Sequence, residues 1–194
     1  MLPYPDCPNV CSYSTQNRPI RQVEIARVGY RSAVTDDDIG FPLGNADEKE
    51  LLLQWLEYLR RAVIRNLDGL DEEQARWTPD GALISLLGIV NHLTNVEWRW
   101  IDGGFGGADV SRAEAEFTPD PALRLDTALD AYRARAVATD TAIRSMALDQ
   151  ESDPGGWAQG QSLRWVVLHL INETARHAGH ADATRELLDG TTGE

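Results

Sequence analysis

From Asp47 onward, apolar and polar positions follow a helical period. Leu52, Leu56, Leu59, Val63, Leu67 and Leu70 recur at spacings of three and four, and either Asn45 or Asp47 is placed to cap the start. Asp68-Gly69 and the cluster Thr78-Pro79-Asp80-Gly81 break that pattern. Ser85 then caps a second stretch with Leu86, Ile89, Leu93, Val96 and Trp100 on one face, which Gly103, Gly104, Gly106 and Gly107 are expected to end. A third helix is expected to open with Asp120 as cap and Pro121 at its first position. It turns Leu125, Leu129, Tyr132, Ala136, Ile143 and Met146 inward and closes before Asp153-Pro154-Gly155-Gly156. The fourth starts after Ser162, runs through Leu163, Val166, Leu170 and Thr174 to Leu188, and stops at Gly190.

Four apolar stripes without a strand pattern predict an all-α fold, an antiparallel four-helix bundle over residues 42–194. Residues 1–41 differ: Pro, Ser, Asn and Asp dominate, no period is sustained, and Asp36, Asp37 and Asp38 form an acidic run. They read as an irregular N-terminal arm. The only cysteines, Cys7 and Cys11, fall in this arm. Their spacing is that of half a zinc site, but no second pair exists, and a plain polar arm is the simpler reading. With no cysteine in the bundle, any sulfur chemistry needs a sulfur from outside.

Charge narrows the partners. A net charge of −13 and a pI near 4.7 argue against nucleic acid and against anionic membrane, both of which call for basic patches. No apolar run approaches the roughly 20 residues of a membrane span, and Pro3, Pro5 and Asp6 stand where a signal peptide would be basic and then apolar. A cytoplasmic protein, monomer or homodimer, is expected.

All four histidines lie on two predicted helices, His92 on the second and His169, His177 and His180 on the fourth. On the fourth, His169, Glu173, His177 and His180 stand at i, i+4, i+8 and i+11, one face within three turns. Val166, Leu170, Ala181 and Thr184 share that side, so Glu173 runs beside the packed surface, where a carboxylate needs a cation or good donors. Gly88, one turn before His92, is expected to leave room beside the imidazole. Two imidazoles and one carboxylate suit Zn²⁺ or a similar divalent ion and leave positions open for a ligand. The competing reading is surface histidines with Glu173 paired to Arg176. The tryptophans at 55, 98, 100, 157 and 165 read as core and rim.

The run Leu163-Arg164-Trp165-Val166-Val167-Leu168-His169-Leu170-Ile171-Asn172-Glu173-Thr174-Ala175-Arg176-His177-Ala178-Gly179-His180-Ala181-Asp182 resembles the last helix of DinB-like proteins of the mycothiol-dependent S-transferase branch. Leu87-Gly88-Ile89-Val90-Asn91-His92-Leu93, with Glu97 and Trp100, looks like their second helix, and the resemblance covers about residues 42–192. It implies an up-down-down-up bundle with a divalent metal on His92, Glu173 and His177. Many relatives have a histidine where Glu173 stands. It also implies a mycothiol S-transferase, with mycothiol as cosubstrate and an electrophilic small molecule as acceptor. His180 or His169 would accept the thiol proton, and Arg176 would hold a carboxylate. A metal-dependent hydrolase or isomerase, and a non-catalytic metal-binding stress protein, are the alternatives.

Overall fold

Asp47 caps the first helix: its carboxylate accepts the Glu50 amide at 3.1 Å, and α1 runs over Glu48–Arg65. The computed structural model of the protein describes residues 40–42, 44, 46–79 and 84–193. Of the arm expected over residues 1–41, only Gly40 and Phe41 are among them, so Cys7 and Cys11 lie outside the described residues.

A short helix unforeseen in the sequence, α2 (Glu72–Arg76), follows. It is set by a reciprocal capping box between Asp71 and Gln74. Helix α3 (Leu86–Phe105) begins where Ser85 Oγ accepts the Gly88 amide. Gly103 and Gly104 do not end it, contrary to expectation. They lie inside its last turns and let a neighbouring segment approach: a Cβ on Gly104 would stand 2.8 Å from Ala158 Cβ. A 3-10 turn, Glu114–Phe117, lies between α3 and α4.

Helix α4 (Leu125–Ser145) starts later than the sequence suggests. Asp120 does not cap it. Its carboxylate accepts the nearby Ala122 amide, while Arg76 draws on the carbonyls of Asp120, Pro121 and Leu123, holding this stretch as a turn. The first helical amide, that of Leu125, is instead capped from α2 by Glu72 at 2.8 Å. Helix α5 (Leu163–Asp189) is capped by Ser162 and closed by Gly190 at φ 81°, both as expected.

Polar contacts fix the helix directions. Glu48 and Asn66, at opposite ends of α1, meet Arg164 and Asp182 of α5, so these helices are parallel. Lys49 reaches the Met146 carbonyl while Arg60 reaches Asp140, so α4 runs against α1. His92 lies near His177 and Trp100 against His169, so α3 runs against α5. The result is up-down-down-up, with α1 and α5 opposed to α3 and α4.

Two apolar clusters form the core. One gathers Val63, Leu86, Leu93, Leu125 and Tyr132, the other Leu56, Val96, Ile143, Val166 and Leu170. Buried polar residues mark their junction: Arg60, Glu97, Thr139 and Thr174. No helix among the described residues is long and apolar enough to cross a membrane.

Candidate metal centre

The antiparallel pairing of α3 and α5 brings the imidazole of His92 opposite Glu173 and His177. One donor atom from each lies within 4.8 Å of the others. Both histidines are buried, and Glu173 is partly so. The Nε2 atoms of His92 and His177 each stand 3.5 Å from the same oxygen, Glu173 Oε1. That is long for a hydrogen bond. It is close to the edge of about 3.4 Å expected for two donors sharing a tetrahedral ion with bonds near 2.1 Å. The two imidazoles beside it, His177 first and His92 second, hold the Glu173 carboxyl far below the usual carboxylate range, against the opposing effect of burial. An anionic oxygen between two imidazole nitrogens is a donor set that fits a divalent cation.

The imidazole from α3 is braced. His92 Nδ1 lies 3.1 Å from Glu116 Oε2, and a carboxylate can only accept, so the ring carries its proton on Nδ1 and turns the Nε2 lone pair to the centre. Glu116 Oε1 also receives the Ala113 amide and the guanidinium of Arg99 from α3. Asn91 pins the Glu116 carbonyl at 2.7 Å, and the Phe117 ring stacks on His92 at 4.2 Å. Gly88 proves to serve this turn rather than to leave space for a ligand: a Cβ there would stand 2.5 Å from the Phe117 carbonyl oxygen. His177 lacks such a brace, since its buried Nδ1 has no partner among the described residues.

Sequence reasoning missed Glu116. It sits in a connection with no period, and the sequence Glu-Ala-Glu-Phe carries two acidic residues with nothing local to say which turns inward.

The remaining candidates fall around the centre. The His180 ring meets His177 edge-on at 5.4 Å, and burial, then His177 and Arg176, push its pKa below the ordinary value. Arg176 is exposed, 3.9 Å from Glu173 and 3.5 Å from Asn172. His169 is not drawn into the cluster. It packs between Trp100 at 4.4 Å and Trp165 at 5.4 Å, and burial lowers its pKa.

No curated protein matches this chain. Residues 51–190, well over half of its 194 residues, match the family model described as Mycothiol-S-transferase, and they span every residue of the centre. The chain, a four-helix bundle with His92, Glu173 and His177 converging between α3 and α5, therefore belongs to the DinB-like mycothiol-S-transferase family.

Proposed function

We propose that this protein transfers mycothiol, or a similar low-molecular-weight thiol, to an electrophilic small molecule in detoxification, with Zn²⁺ or a like divalent cation held by His92, Glu173 and His177. The observation that carries this reading is the convergence of those three donors in a chain of the mycothiol-S-transferase family. When bound, the cation supplies Lewis acidity, which lowers the pKa of a thiol near it.

The protein's own residues do the rest. Glu116 keeps the His92 proton on Nδ1, so Nε2 stays available to the centre. Phe117 covers the His92 ring and keeps water from that side. His180 stands beside His177 and reaches solvent, a position from which its imidazole accepts the thiol proton and passes it outward. Arg176, exposed one turn from Glu173, offers a planar fork to a carboxylate of thiol or acceptor.

The test is elemental analysis of the purified protein, followed by turnover of mycothiol with a panel of electrophiles before and after chelation. Conjugate formation that needs both the thiol and the metal is expected. Equal consumption of substrate without thiol would favour the hydrolase, and metal binding with neither thiol affinity nor turnover would favour a sequestering protein.

A further inference from the structure

The seam between α3 and α5 continues beyond the donor cluster into a second layer of rings. Trp100 lies eight residues after His92, and His169 eight before His177, so both sit about 12 Å along their helices from the imidazoles. They pack together at 4.4 Å. Trp165 stacks on His169 with its ring tilted by only 7°, and Trp157 meets Trp100 edge-on at 6.5 Å. Trp157 and Trp165 nevertheless remain 37% and 40% exposed, and Leu168, one turn from Trp165 on α5, is 50% exposed. Aromatic surface left exposed in one place beside a candidate centre is a feature of binding surfaces.

The shelf is also tied to the centre. Arg99, whose guanidinium lies over the Trp157 ring at 5.5 Å, pairs with Glu116, the residue that braces His92. The contacts that build the shelf are ring on ring and guanidinium on ring. Arg99 is buried and its guanidinium is turned to Glu116. A flat, electron-poor ring finds several electron-rich faces and edges to stack on.

We infer that Trp100, Trp157, Trp165 and His169 form the acceptor subsite, and that it selects planar aromatic or conjugated electrophiles. This rests on the transferase reading of the neighbouring centre and names its acceptor class. With 1-chloro-2,4-dinitrobenzene as probe, the thiol sulfur bonds the chlorine-bearing ring carbon. The carbon–chlorine bond breaks with its pair leaving as chloride, and the thiol proton passes to solvent.

Two measurements decide it. In metal-loaded enzyme, Trp165→Leu and Trp157→Leu should each raise KM for 1-chloro-2,4-dinitrobenzene by about five- to tenfold, the loss of one good ring contact. KM for 1,2-epoxybutane and for mycothiol should stay unchanged. In metal-free protein, equilibrium dialysis of 1,3-dinitrobenzene, which stacks but has no leaving group, should show the same weakening. Equal effects on both electrophiles, a rise confined to mycothiol, or unaltered dialysis would each overturn the subsite; the second would assign the shelf to the sugar rings of the thiol. If no electrophile is turned over, the transferase reading fails, and the dialysis still decides whether flat rings bind here.

Discussion

Glu116 Oε2 lies 3.1 Å from His92 Nδ1, although one residue comes from a 3-10 turn and the other from the middle of α3. The contact sets both the tautomer and the aim of the imidazole. Glu116→Gln keeps the shape and removes the charge, so metal affinity should fall by about 10- to 100-fold with the helices intact. Competition with a chromophoric chelator measures it, and an unchanged dissociation constant would remove Glu116 from this role.

His92→Ala and Glu173→Ala each delete one of three donors. The parent should carry a full equivalent of metal, and both variants should emerge from purification with little. Retention of that equivalent by either one contradicts the ligand assignment.

Gly88→Ala should act at a distance. The added methyl would sit 2.5 Å from the Phe117 carbonyl oxygen, a backbone atom that yields only if the 3-10 turn shifts. A stability loss of about 1–3 kcal/mol is expected, with weaker metal binding because Glu116 moves with the turn. Denaturation midpoints together with metal titration check both, and full stability with full affinity would show the turn to be free to move.

The polar junction of the core holds a testable ion pair. Arg60 meets both oxygens of Glu97 at 2.8 Å and Asp140 at the same distance, with Arg60 and Glu97 each 1% exposed. Burial alone would lower the Arg60 pKa, yet Glu97 outweighs it and the guanidinium is held above its ordinary value. Glu97→Ala leaves much of that charge uncompensated and should cost about 3–5 kcal/mol. Replacing both residues, Arg60→Met with Glu97→Leu, should recover most of the loss in urea titrations of metal-free protein. A double variant as unstable as the single one would contradict the desolvation argument.

His169 gives stability a pH dependence of definite sign. Burial lowers its folded-state pKa from 6.5, so below that value the unfolded chain takes up the proton first. The stability due to the neutral ring is complete above 6.5 and declines as pH falls toward the folded-state pKa. Metal-free wild type should therefore lose more stability than His169→Gln between pH 7.5 and 5. Parallel slopes for the two proteins would rule the effect out.

The sequence revealed what periodicity can carry. The leucine spacing and the caps Asp47, Ser85 and Ser162 located three of the four long helices to within a residue at their starts, and the i, i+4 placement of Glu173 and His177 marked the centre. The start of α4 misled because Asp120-Pro121 is a strong local signal that loses to a tertiary one, the capping of Leu125 by Glu72. Gly88 misled for a related reason: a missing side chain shows that something comes close, not whether it is a ligand or a backbone carbonyl. Glu116 stayed invisible because its partner is 24 residues away and the connection bends by no sequence rule.

That connection has a consequence for how the centre can be tuned. The three candidate donors stand on α3 and α5, whose register is hard to change, whereas Glu116 arrives on the connection from α3 to α4. Lengthening or shortening that connection by a residue would shift Glu116, and with it the hold on the His92 ring, while the three candidate donors kept their places. The length of a loop, rather than the choice of donor, would then set how firmly that imidazole is aimed.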